Sequence, residues 1–266
     1  MPGAVTRQRV PIALLVPAIG GLIFLVLPLA GLLWRTPWTT LLSRLTEPGV
    51  VQALRLSLLT ASLATLLCLV LGVPLAWVLA RVTFPGRRVV RALITVPLVL
   101  PPVVGGIALL LALGRRGLIG SWLDSTFGIS LPFTTAGVVI AEAFVALPFL
   151  VISVEGALRG ADTRFEEAAA TLGATRWITF THVTLPLVAP GIAAGGVLCW
   201  ARALGEFGAT ITFAGNYPGI TQTMPLAVYQ TMESGDLDGA VVLSLILLVV
   251  SVTILAGLRD RWLTAP

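Results

Sequence analysis

Arg202 and Glu206 stand four residues apart in an otherwise apolar stretch, a spacing that lets a cation and a carboxylate bridge on one helix face. A charge at the bilayer centre costs roughly 2.5–3.5 kcal/mol on insertion scales, so an intramembrane arginine is expected to be paired or functional. Gly205, Gly208 and Ala209 flank the pair and permit close helix approach. Together with Phe207, the set Arg202, Gly205, Glu206, Phe207 and Gly208 reads as a packing or gate element. Little else could do chemistry. His182 is the single histidine, whereas a zinc site usually needs at least three protein ligands. Cys68 and Cys199 fall inside apolar runs, where a free cysteine behaves as a small hydrophobe. With no nucleophile–base pair in view, the chain is expected not to be an enzyme and to hold no cofactor or metal.

A second group is set apart by polarity. Glu166 to Pro186, EEAAATLGATRWITFTHVTLP, is a charged island in a chain that is otherwise hydrophobic. Its surroundings fix what it can be. Of 266 residues, 57% are hydrophobic and 11% charged, against about 25% charged in a typical soluble domain. An all-α, polytopic membrane protein follows. All 17 basic residues are arginine, and they sit between apolar spans instead of clustering on a soluble face, which argues against nucleic-acid binding.

A bilayer core about 30 Å thick takes about 20 apolar residues of helix. Six segments qualify: residues 12–34, 56–80, 92–114, 134–156, 184–213 and 239–258. They make one transmembrane domain over residues 1–266, with a polar loop at 157–183. The first span exceeds the roughly 7–15 apolar residues of a signal-peptide core, and no A-x-A site follows, so it reads as a retained helix. The third carries Pro97, Pro101, Pro102 and Gly105–Gly106, and two readings stand: a kinked helix packed inside the bundle, or simple bending.

With a cytoplasmic N-terminus, the inside loops hold Arg7, Arg9, Arg81, Arg87, Arg88, Arg91, Arg159, Arg164, Arg176, Arg259 and Arg261. The outside loops hold Arg35, Arg44, Arg55, Arg115 and Arg116. The positive-inside rule therefore predicts both termini, and the island, on the cytoplasmic side.

Within the island, two short helices are expected. Asp162 or Thr163 can cap the first, Glu166 and Glu167 suit its positive end, and Ala168, Ala169, Ala170 and Leu172 continue it. Gly173 is placed to close it. Arg176 to Thr181 form the second, with Trp177 and Phe180 on one face. Insertion into a partner's groove and an amphipathic loop on the membrane surface both fit.

Glu167-Ala168-Ala169, Gly173 after three residues, and Val183-x-Leu185-Pro186 after nine more resemble the coupling-loop signature of bacterial ABC importer permeases, E-A-A-x3-G-x9-I-x-L-P. Valine for isoleucine is the one departure. The resemblance implies a type I ABC importer transmembrane architecture. It also implies a bacterial inner-membrane location and a loop (Glu166, Glu167, Ala168, Ala169, Gly173, Leu185, Pro186) that docks on separate ATPase subunits. No G-x-x-x-x-G-K-[ST] phosphate loop is present, so ATP and magnesium are expected on the partner.

Downstream, ARALGEFGATITFAGN at 201–216, then Pro218-Gly219-Ile220-Thr221-Gln222-Thr223 and Pro225-x-Ala227-x-Tyr229, is similar to molybdate/tungstate permeases. Leu113-Gly114-Arg115-Arg116-Gly117 resembles the same family. Sulfate/thiosulfate permeases share A-R-x-L-G-E-F-G-A, so a sulfate importer is the alternative, and an ion-gradient-driven transporter using Glu142, Glu155 and Glu206 a further one. The family works as a homodimer and takes cargo from an extracytoplasmic oxyanion-binding protein, which the outer loop with Glu233, Asp236 and Asp238 would help to dock. For a dianionic cargo, Arg202 neutralised by Glu206 is a poor trap, which favours the gate or packing role over direct ligation.

Overall fold

A computed structural model describes residues 12–263, with side chains described for 13–257. Arg7, Arg9 and the side chains of Arg259 and Arg261 lie outside the described residues. Among the described residues every regular element is helical. The chain opens with α1 (Ile12–Arg35), the short α2 (Trp38–Leu45) and the long α3 (Pro48–Arg81). Pro48 sits in the first turn of α3, where its missing N–H costs nothing, so the helix starts well before its apolar stretch. Next come α4 (Arg87–Val99) and α5 (Pro102–Leu113), which bend by 120° at Leu100–Pro101. The third apolar stretch is thus two helices folded sharply against each other's direction, with Pro101 and Pro102 removing two successive backbone donors at the bend. After α6 (Gly120–Phe127), the helix α7 (Thr135–Gly160) returns through the bundle. The polar island holds α8 (Arg164–Thr171) and α9 (Arg176–Thr179). A π-helical turn, Phe180–Thr184, joins α9 to α10 (Leu185–Leu204), followed by α11 (Gly208–Phe213), α12 (Met224–Glu233) and α13 (Leu237–Leu263).

Five helical stretches are long and apolar enough to cross a membrane, or six if the bent α4–α5 pair is counted as one span. The core is a layer of α3, α7 and α10. Lipid tails are as apolar as leucine, so close packing rather than water expulsion must hold such helices together. The sequence supplies small residues for it. Ala61, Ala64, Cys68, Gly72 and Ala76 line one buried stripe of α3 against Leu150, Val151 and Val154 of α7. On α10, Gly195 meets Ser153 of α7, where a Cβ would stand 2.9 Å from the serine Cβ. A second cluster joins Val50 and Ala53 of α3 to α12 and α13. A third packs Leu109 of α5, Ala141 and Val145 of α7, and Ala209 and Phe213 of α11.

Candidate functional site

Two places gather the residues singled out by the sequence: the polar island, and the break that ends α10.

In the island, the Asp162 carboxylate accepts the Arg164 N–H at 3.0 Å, while the Thr163 side chain makes no cap bond and instead donates to Glu167 Oε1 at 3.3 Å. Of the two candidate caps, Asp162 does the work. Glu166 and Glu167 occupy the first turn of α8. The helix ends in a Schellman arrangement: Gly173 N–H donates to the Ala170 carbonyl and Ala174 N–H to that of Ala169, both at 3.0 Å. Gly173 has φ +82°, the left-handed conformation that the motif needs.

The second short helix does not stand alone. It runs through the π turn into α10, where the Leu185 N–H bonds the Phe180 carbonyl five residues back. Pro186 explains the wider turn, because its ring excludes the carbonyl at 182 and it has no N–H to donate. Trp177 packs against Phe180 with ring centroids 6.0 Å apart, and Phe180 in turn makes a T-shaped contact with Trp77, centroids 5.8 Å apart. Leu172 is 88% exposed and Trp177 72%, with Phe165 and Ile178 also exposed. The island therefore presents an uncovered apolar rim around α8.

Sequence reasoning missed how α8 is held. Arg81, the last residue of α3, donates to Glu166 Oε1 from Nη2 at 2.9 Å and from Nε at 3.2 Å. Thr184 donates to the same oxygen at 3.1 Å. A cavity of about 390 Å³ lies behind, lined by Trp77, Arg81, Glu166, Arg176, Phe180 and Thr184 among others. Nearby, Glu155 Oε1 accepts from Arg91 of α4 at 2.6 Å and from Arg159 at 2.7 Å. The Glu155–Arg159 half has i,i+4 spacing and was readable; the Arg91 half was not.

At the second place, Arg202 Nη2 meets Glu206 Oε2 at 2.6 Å, the spacing anticipated. Glu206 is 1% exposed, and its Oε1 also accepts the Ala209 N–H at 2.8 Å. That carboxylate both neutralises Arg202 and satisfies a free donor at the start of α11. The chain breaks at Gly205–Phe207, so residues 184–213 form two helices rather than one span. Gly208 packs on Pro102 and Gly106 on Thr212 and Ala209, which brings α5 and α11 into close contact. Gly205 takes no part, since only its own helix's Ala201 carbonyl lies near it. Phe207 packs against Tyr229 of α12 with the rings tilted and their centroids 5.0 Å apart.

Glu155 and Glu206 are both committed to arginines, which leaves little of a carboxylate relay. Among the described residues Glu142 has no such cation: its Oε1 accepts a hydrogen bond from the Thr60 hydroxyl at 2.9 Å, across α3 and α7. Among the described residues no group of three His, Cys, Asp or Glu could hold a metal ion.

Residues 72–264 match the family described as binding-protein-dependent transport system inner membrane component. The chain belongs to this family of ABC importer permeases. It is 51% identical over 245 residues to the molybdenum transport system permease protein ModB of Mycobacterium tuberculosis, covering 92% of each chain. Against the Escherichia coli protein of the same name, identity is 47% over 220 residues, 82% of this permease and 95% of the relative. The E. coli sulfate transport system permease protein CysT is more distant, 37% identical over 235 residues, 88% of this permease and 83% of the relative. A solved bacterial ABC transporter for alginate import superposes with a TM-score of 0.77 at 20% identity, over 95% of this chain and 94% of that one. The permease thus shares the type I importer transmembrane fold. It is a multi-pass membrane protein that works with ABC transporter partners, and hydrolysis belongs to a separate subunit.

Proposed function

We propose that the chain is the molybdate-translocating permease of a bacterial inner-membrane ABC importer. Two copies enclose one path, two ATPase subunits carrying ATP and magnesium dock on residues 157–183, and an extracytoplasmic oxyanion-binding protein delivers cargo at the opposite face. Both termini and α8 then face the cytoplasm. The observation that carries this reading is the apolar rim of Phe165, Leu172, Trp177 and Ile178 around a helix tied into the bundle. A loop lying on the membrane surface would have no need of that tie. Tungstate is the natural second cargo, and identity to the molybdenum permeases exceeds that to sulfate permeases.

Arg202 has its charge met by Glu206, so it serves the path as part of a gate and not as the anion's ligand. Conduction gains from weak contacts, because cargo must leave.

Uptake of labelled molybdate should vanish on deletion of the ATPase gene and fall with excess tungstate more than with sulfate or thiosulfate. Uptake that survives the deletion sinks the reading. Competition led by sulfate transfers it to a sulfate importer.

A further inference from the structure

Glu166 lies in the signature loop, yet its side chain turns inward. One oxygen receives three donors: Arg81 Nη2 and Nε at 2.9 and 3.2 Å, and Thr184 Oγ1 at 3.1 Å. Those donors come from the last residue of α3 and from the π turn that heads α10. The side chains of Arg81 and Glu166 are 15% and 19% exposed, so solvent and salt screen them less than a surface pair. Trp77 and Phe180 brace the same junction edge to face. Glu167, one residue on, is exposed, and among the described residues its only side-chain partner is Thr163 of its own segment.

This asymmetry divides the labour of the two carboxylates. We propose that Glu166 is a latch, with Arg81 and Thr184 as positioning residues, that delivers movement of α8 to α3 and α10 together and does not itself bind the ATPase. The inference rests on the reading of α8 as the coupling helix.

The mechanics follow from chain length and tethering. A helix of eight residues is about 12 Å long and is joined to the bundle by a short turn at either end. Tethered only at its ends, such a piece pivots when pushed and dissipates the displacement. The Glu166 carboxylate adds a third fixed point, in its first turn. Because α3 and α10 are two of the three core helices, a push at α8 reaches the bundle as one rigid displacement.

The test uses the assembled transporter in proteoliposomes with its ATPase and binding protein. Two quantities are read: molybdate moved per ATP hydrolysed, and ATPase co-purifying with the permease. Glu166→Gln, and separately Arg81→Gln, should leave co-purification within about twofold and lower the transport-to-hydrolysis ratio by roughly fivefold or more, the lower end of ordinary coupling energies. Thr184→Val, which keeps both charges, should lower it less. The exchange Glu166→Arg with Arg81→Glu should recover most of the loss. The proposal is overturned if the variants lose the ATPase while surviving complexes keep the normal ratio, or if the ratio is unchanged in all of them. Should the exchange assemble yet recover nothing, the latch also fails. Failure of the coupling reading shows separately, because the unaltered permease then does not co-purify with the ATPase.

Discussion

Gly208 rests directly on Pro102: a Cβ at position 208 would stand 2.8 Å from the proline Cβ and 3.1 Å from the backbone nitrogen of Val103. The contact joins the two interrupted spans at their breaks, since Pro102 opens α5 and Gly208 opens α11. Gly106 repeats it further along, where a Cβ would meet the Ala209 carbonyl oxygen at 2.9 Å.

Gly106→Ala and Gly208→Ala should therefore force the helices apart. Neither backbone nor proline ring can step aside, and overpacking of this kind costs about 1–3 kcal/mol. Both variants should melt earlier in detergent and transport less than the unaltered chain. Gly205→Ala is the control: its site is open, so melting and transport should stay normal. Equal damage from Gly205→Ala would show that helix propensity or expression, not the α5–α11 contact, governs the result.

The contact also marks what sequence could and could not reveal. Features that are local in the chain were legible. The Glu167–Pro186 spacing, the closure at Gly173 and the Arg202–Glu206 bridge need only helix geometry, because residues three and four apart meet on one face. Pro101 and Pro102 pointed to an interrupted helix, but not to a 120° bend. Pairings across the bundle were hidden. Arg81 and Glu166 are 85 residues apart and Thr60 and Glu142 are 82 apart. Six apolar stretches look alike by periodicity, so nothing says which faces which. The merging of α9 with α10 was missed for another reason: the fall in polarity put a boundary between the loop at 157–183 and the span from 184, and the π turn carries one helix across it.

Gly173 tests the end of α8. With φ +82° it occupies a conformation that costs an L-residue roughly 1–2 kcal/mol, and a β-branched one more. Gly173→Val should insert in the membrane normally while ATPase co-purification and molybdate uptake both fall. Gly173→Asn should do less harm, because asparagine tolerates this region. If valine and asparagine are equally harmless, the Schellman closure is not what holds the loop.

Asp236 gives a pH dependence outside the spans. The Gly239 N–H, at 2.8 Å, and then the Arg44 guanidinium, at 2.9 Å, hold its carboxyl below the usual carboxylate range. A lowered folded-state value means that the carboxylate's contribution is present above the unfolded value, about 3.9, and is lost as pH falls through the folded one. The melting temperature of the purified permease should exceed that of Asp236→Asn near neutrality. The gap should close as pH falls below about 4. A gap that is constant over the whole range would place the effect in packing rather than charge.

The Arg202–Glu206 pair allows the gate assignment to be separated from anion binding. Glu206 is buried, so removing either partner leaves a charge without its counter-ion, a change that costs about 3–5 kcal/mol when a buried pair is broken. Glu206→Leu should be the worse of the two singles, since it strands the arginine and also frees the Ala209 N–H at the head of α11. Replacing both, Arg202→Met with Glu206→Leu, should regain much of the lost thermal stability, because no lone charge remains. Transport then decides the role. A double variant that is stable and still moves molybdate makes the pair a packing device, while one that is stable but leaks or stalls makes it part of the gate. If Arg202→Met alone abolishes molybdate-dependent protection of the permease at full stability, Arg202 binds the anion and the neutralised-arginine argument is wrong.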